Sequence, residues 1–338
     1  MFTNRTVFII GAGASAEVDL PTGTSLQAKI AESLRFQYES DDELKSLVMT
    51  APGDGDFRAR AQACRRLAPT ITTFPSIDEA LHWWRDDALV VRIGKLAIAH
   101  TILNAEKESS LYPAQTSGRV DAHAANGTWL DHFFSMALSG LGRRDYEQAF
   151  KRTTIINFNY DRVVEHYLFH ALQQRSGLDP TEAAQCVSQL HVIRPYGSLG
   201  KLPWELPNIR RPVPFGGEPT HEMASEIFTF TESRDEEGGT TEMKNALRGA
   251  RAVLILGFGF HRQNVAMLQR DAPSPADPVV EAITFATMSG IDIRNKEAIE
   301  REVRRIARVG SEFPAIEDLK AGELMSRLRP RIMTAVSG

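Results

Sequence analysis

The chain has 338 residues, 42% of them hydrophobic and 24% charged, enough to bury a sizeable core in one large domain or two ordinary ones. Its 39 basic and 43 acidic residues leave a formal net charge of −4, so no global basic field exists to hold a nucleic acid. The two cysteines, Cys64 and Cys186, lie far apart and in no CxxC pair, which excludes a disulfide framework and a cysteine-based zinc ribbon.

In chain order, residues 5–10 (RTVFII) read as a buried strand that runs straight into the glycines of "GAGASA" (11–16). After "LPTG" (20–23), the stretch 24–36 has helical spacing, with Thr24 as its N-cap. From there to about residue 150 almost nothing is strand-like. Residues 76–108 read as one long helix opened by Ser76 with Glu79 three positions on, a capping box, and 128–141 as another amphipathic helix. The aromatics Trp83, Trp84, Trp129 and Phe133 in these helices are expected in the core.

Strands then resume at 152–158 (RTTIINF), followed by a helix from about Asp161 to Gln174, and at 188–197 (SQLHVIRPYG). A proline-rich loop, 201–219, is too punctuated for a regular element. The nearly all-apolar 251–260 (RAVLILGFGF) reads as a strand entering two more glycines and then a helix; 282–290 (AITFATMSG) is the last expected strand, with two helices behind it. Strands alternating with helices, some apolar on both faces, predict an α/β protein: a parallel sheet covered by helices on both faces. The expected division is a core of 1–24 and 151–338, with a large helical insert, 25–150, after the first strand. No run approaches the roughly 18 apolar residues that span a bilayer, and the N-terminus has no basic leader, so the chain is expected in the cytoplasm, off the membrane.

"GAGASA" fits the relaxed GxGxxA pattern: Gly11 for a tight turn, Gly13 for close approach of backbone to phosphate, and Ala16 for helix packing, with helix-start amides facing a pyrophosphate. A tight strand-to-helix turn with no ligand gives the same pattern. A hydride-transfer enzyme also needs a second strand ending in an acid about 20 residues on; here that span reads as helix, which argues against an oxidoreductase.

Four stretches in order, "GAGAS…LPTG" (11–23), "INFNYDRVVE" (156–165), "YGSLG" (196–200) and "LGFGFHRQN" (256–264), resemble sirtuin-like NAD-binding domains. The chain is most similar to the bacterial group that lacks a zinc module and includes antiphage NAD hydrolases; "SIDEAL" (76–81) and "TFATMSG" (284–290) are similar to that group too. The resemblance implies a Rossmann-like core that binds NAD across the carboxyl ends of the strands and cleaves the nicotinamide–ribose bond. It implies NAD as substrate or ligand, no metal, and no zinc-dependent deacylation.

Cleaving that bond builds positive charge on the ribose, so the site wants a carboxylate and oriented amides beside that carbon. By the resemblance, Asn159 holds ribose hydroxyls and a water, and Asp161 faces the nicotinamide and C1′. Either could instead serve its own backbone, as an Asx-turn and an N-cap. Tyr196 stands where the family carries a histidine base, and a phenol with a pKa of about 10 is a poor base at neutral pH. His191 is no replacement, since an odd separation along a strand points it to the other face. By the same resemblance the nucleotide is cradled by Gly11, Ala12, Gly13, Ser15, Pro21 and Thr22, by Gly197 and Ser198, and by Gly257, Gly259, His261 and Asn264, with Met288 and Ser289 bordering the adenine. Three readings follow: an NAD hydrolase giving nicotinamide and ADP-ribose, a sensor that binds NAD or ADP-ribose without turnover, or a structural or toxin-partner protein that keeps only the fold, against which the three glycine cradles argue. Control of a hydrolase would come from a homo-oligomer or a separate activating partner.

Overall fold

The structure, a computed structural model, describes residues 1–36, 42–51, 55–205, 211–230, 232, 239–269, 281–307 and 314–337. Six strands form one wholly parallel sheet: β1 (Thr6–Ile10), β2 (Thr153–Asn157), β3 (His191–Ile193), β4 (Ala252–Leu256), β5 (Ile283–Thr287) and β6 (Ala315–Glu317). Their order, β3-β2-β1-β4-β5-β6, runs outward from β1 in both directions. This is the Rossmann-like α/β arrangement, in which the crevice for a ligand opens where the winding reverses, between β1 and β4.

β1 and β4 are buried at every position, as their unbroken apolar runs require. Alternate side chains feed two cores. Val7, Ile9, Ile156, Val253 and Ile255 face one core, and Phe8, Ile10, Ile155, Leu254 and Leu256 the other. Among the described residues between β1 and β2 the regular elements are helical. They include α1 (Ala12–Ser15), α2 (Gly23–Ser33), α3 (Asp42–Thr50), α4 (Phe57–Thr70), α5 (Ile77–Trp83), α6 (Ala88–Glu108) and α7 (Trp129–Leu138). Leu26, Leu67, Leu81 and Ile93 join the first core together with Val7 and Ile9. The helices from α2 to α6 therefore share the core of one sheet face. α7 packs on the other face, with α8 (Val163–Ser176) and α9 (Pro180–Val187).

Several local expectations change. The helix expected over 76–108 is two helices, because Asp87 accepts the Val90 amide and starts α6 afresh, while Trp84 closes α5. Of the capping box, the Ser76 hydroxyl accepting the Glu79 amide is present. α2 begins at Gly23 with Thr22 as its N-cap, not Thr24. The strand expected over 188–197 stops at Ile193, so Tyr196 belongs to a loop and strand alternation does not relate it to His191. His191 lies on the edge strand, exposed and 2.8 Å from Glu242. Beyond β5 the structure adds the short β6, absent from the sequence reading, and three helices rather than two: Lys296–Ile306, Ala321–Arg327 and Arg329–Ser337. Trp129 and Phe133 are core, but Trp83 is 65% exposed.

α6 is, with a mean hydropathy of 1.4, long and apolar enough to cross a bilayer, which the run-length reading missed; most of that surface is spent inside the protein. Its Glu106 pairs with Arg162 at 2.5 Å, both buried. Arg162 also donates to Val213 O and Pro214 O, and Glu106 accepts the Gly216 amide, so the proline-rich loop is tied to α6 and to the start of α8. That loop has no regular element among its described residues; 206–210 lie outside them.

Candidate functional site

At the carboxyl ends of the strands a cleft of about 470 Å³ opens, within the size range of small-molecule sites. It gathers the exits of β1, β2, β4 and β5, the start of α2, the Pro75–Asp78 edge of α5, and Leu319–Ala321. Of the residues singled out in the sequence, Gly11, Ala12, Gly13, Pro21, Thr22, Asn159, Asp161, Tyr196, Gly257, Gly259, His261, Asn264 and Ser289 line it. Residues from distant parts of the sequence thus meet in one place.

Gly197, Ser198 and Met288 are not on that lining. The reason at Gly197 is backbone packing: its φ of +74° and a Cβ that would sit 1.9 Å from Glu226 O demand glycine, and the Ser198 amide donates to the same carbonyl. Ser15 is buried just behind the cleft wall.

The glycines after β1 and β4 meet one another. A Cβ on Gly11 would lie 2.5 Å from Gly257 O, and one on Gly257, at φ +59°, would lie 2.0 Å from Ala14 N. The Gly11 amide donates to Leu256 O and the Gly13 amide to Gly257 O, both at 3.0 Å. Those two amides are therefore spent inside the protein, and the close approach that excludes side chains here is loop against loop. The Gly257 amide goes to the Thr287 hydroxyl at 2.8 Å. Ala12 opens α1 without a side-chain cap. α2 likewise starts on the cleft without one: the Thr22 hydroxyl engages Ser25 Oγ, so the first-turn amides keep the positive end of the helix turned to the cleft.

Beyond β2 the wall is made of side chains. Asn157, the last residue of the strand, accepts the Asn159 amide at 3.0 Å and so takes the Asx-turn role itself. The Asn159 carboxamide is thereby released to donate to Ser15 Oγ at 2.8 Å, which leaves its oxygen to accept. Ser15 in turn hydrogen-bonds the Asp161 carboxylate. Asp161 also takes the Val163 amide at 3.3 Å, so the backbone role foreseen for it coexists with its place in the cleft. Burial pushes its carboxyl up to about 6, against the Ser15 hydrogen bond and the Arg194 charge. It is still mostly ionised at pH 7.

Arg194, which the sequence did not single out, braces this corner. It donates to Asn159 O at 3.1 Å and to Asp161 O at 2.9 Å, and pairs with Glu165 at 2.8 Å. Tyr196 is buried and donates its hydroxyl to Asn264 Oδ1 at 2.7 Å. Burial, and the Asp78 charge after it, push that phenol well above its ordinary value, so it is no base at neutral pH. Burial also lowers His261, against the pull of Glu79.

Asp78 and Tyr160 were missed as well. Asp78 lines the cleft from the first turn of α5, and the Tyr160 hydroxyl donates to its Oδ1. Burial raises Asp78 to about 6. The only signal in the sequence was "SIDEAL", where a helix start accounts for the acid equally well. Glu17 also reaches the cleft wall, but its oxygens accept the Trp129 and Gly322 amides. Lys320, exposed, stands at the opposite end from Asn159 on the sheet, past β6. No group of three or more metal-ligating side chains occurs among the described residues. Compared with known proteins, the chain matches no family model and no curated protein.

Proposed function

We propose that this protein is a sirtuin-like NAD hydrolase, converting NAD and water to nicotinamide and ADP-ribose, with antiphage defence the role that the resemblance carries with it. The observation that supports this reading best is the meeting of Asn159 and Asp161 with the glycine junction and the start of α2 in a single cleft at the winding reversal. In an open α/β sheet that is where a dinucleotide lies.

On this reading the pyrophosphate lies against the amides of α2 and Ala12, since those of Gly11 and Gly13 are engaged. The adenosine end runs toward Ser289, Gly290 and Lys320, and the nicotinamide end toward Asn159, Asp161 and the α5 edge. As the glycosidic bond lengthens, its electron pair leaves with nicotinamide, which departs neutral and needs no acid. The ribose becomes cationic, and Asp161 stabilises it; a carboxylate held in a low-dielectric wall does so more strongly than one in water. The Asn159 oxygen accepts a ribose hydroxyl or the attacking water. The α5 edge covers the nicotinamide end and limits bulk water. No metal is invoked. The two cysteines are free and buried, which suits a reducing cytoplasm.

One observation favours the second reading, an NAD or ADP-ribose sensor without turnover. The hydroxyl of Tyr196, at the position of the family's base, is engaged by Asn264 and unable to accept a proton at neutral pH. Nicotinamide release from NAD by the purified protein, beside Asn159→Ala, separates the two. Release that is lost in the variant is the expected result. Binding of NAD without release, across a range of protein concentrations that would populate a homo-oligomer, supports the sensor. No binding at all removes both.

A further inference from the structure

On the hydrolase reading, which this inference rests on, some group must take the proton of the attacking water. Tyr196 is committed to Asn264. Glu17 is held by two backbone amides. Asp161 is tied to Ser15 and the Val163 amide, and its task is to remain charged beside the ribose.

Asp78 is different. Ser76, not Asp78, satisfies the Glu79 amide at the start of α5, so the helix does not need this acid as its cap. Among the described residues Asp78 has one side-chain partner, the Tyr160 hydroxyl, and no cation pairs with it. A buried carboxylate without a cation costs stability, and such groups concentrate at functional sites. Tyr160 stands between Asn159 and Asp161 in the sequence, lines the cleft, and aims its hydroxyl at Asp78. The other titratable groups around the pair are Tyr196, whose ring lies 6.3 Å from that of Tyr160, Glu232, which acts on Tyr160 through its charge, Glu79 and His82 on α5 itself, and Asp161 and His261 on the cleft lining.

We infer that Tyr160 and Asp78 form the proton-accepting pair of the reaction, Tyr160 relaying and Asp78 receiving. As the water oxygen bonds to C1′ and the C1′–nitrogen pair leaves with nicotinamide, the water proton passes to the Tyr160 oxygen and the Tyr160 proton passes to Asp78 Oδ1. Asp78 returns it to solvent after ADP-ribose departs. The helical segment between β1 and β2 thereby supplies the base that the Rossmann-like core lacks. A carboxyl raised to about 6 is ionised at pH 7 yet basic enough for the transfer.

The test measures nicotinamide release from NAD by the full chain over pH 5 to 8, for wild type, Asp78→Asn and Tyr160→Phe, with and without sodium azide. Azide is an anion that attacks C1′ without losing a proton. The wild-type rate is expected to fall below pH about 6, where both Asp78 and Asp161 lose their charge. Each variant is expected to lose roughly 10²–10⁴-fold in kcat with KM little changed. Azide is expected to restore release in both, and not in Asn159→Ala. Activity of Asp78→Asn within a few-fold of wild type overturns the inference and leaves the hydrolase standing. So does a loss that azide does not repair in a variant that melts with wild type, which marks a structural role. If Asp78→Asn fails to fold, Tyr160→Phe decides by the same criteria, because it removes the relay and keeps the carboxylate. A wild-type chain that releases no nicotinamide at any of these pH values overturns the hydrolase and this inference together.

Discussion

The cleft has two walls built on opposite principles. At the glycine junction, backbone meets backbone: Gly11, Gly13 and Gly257 are there because any side chain would strike the neighbouring loop. Beyond β2, side chains meet side chains: Asn157, Asn159, Ser15 and Asp161 are linked in a chain of hydrogen bonds, with Arg194 behind them. The first wall is a matter of exclusion and tolerates nothing larger. The second is a matter of satisfaction, and its chemistry resides in the groups left over: the Asn159 oxygen and the charge of Asp161. A glycine motif at a strand end thus reports how close two loops come, and the atoms that could act on a ligand are supplied elsewhere.

The sharpest way to break this contrast is Gly257→Ala. Its Cβ would meet Ala14 N at 2.0 Å and Gly13 C at 2.4 Å, both backbone, at a φ of +59°. A loss of about 4 kcal/mol is expected, since neither neighbour can swing aside. Urea unfolding measures it, and a variant as stable as wild type would show that the two loops separate freely.

On the other wall, Ser15→Ala removes the oxygen that accepts from Asn159 and the hydroxyl that supports the Asp161 charge. The expected loss is about 1–3 kcal/mol, smaller because one orphaned polar group, rather than a steric clash, is created. Its second effect is on titration. A hydrogen bond to the charged form holds a carboxyl down, so without it Asp161 rises further above about 6. A pH profile of nicotinamide release should therefore show its acid limb moved to higher pH. A limb that stays put would detach Ser15 from Asp161.

Gly23→Ala is the smallest change and sharpens the rule from the other side. Gly23 also lines the cleft, but it opens α2 and nothing lies within 4 Å of the added Cβ. Alanine should stabilise the protein by about 0.5–1 kcal/mol through helix propensity and a less flexible unfolded chain. Thermal melting beside Gly257→Ala then separates a glycine demanded by packing from one that is not. A destabilised Gly23→Ala would blur that distinction.

Strands β1, β2, β4 and β5 were legible to within a residue or two at most ends, because a doubly covered parallel sheet favours short runs of apolar and β-branched residues, as in TVFII, TTIIN, AVLIL and ITFAT. β6 was not: "AIE" is three residues with no run, and it is a strand only because it pairs with β5. β3 is shorter than expected at both ends, since only His191–Ile193 pair with β2, with a turn before them and a loop after. The break between α5 and α6 came from an Asp87 cap inside a helical pattern, where two readings of the same residues compete.

For the cleft the division is similar. Local sequence determined that glycines follow β1 and β4 and that asparagine and aspartate follow β2, because turns and strand exits leave residue-type marks. It could not determine that Gly11 and Gly257 exclude each other's side chains, that Ser15 joins Asn159 to Asp161 across 144 positions, or that Asp78 receives the Tyr160 hydroxyl across 82. Those pairings arise only when the sheet brings distant segments within hydrogen-bonding reach. Burial and partners are properties of the assembled fold, and they decide which carboxylate is a helix-start residue and which can hold a proton.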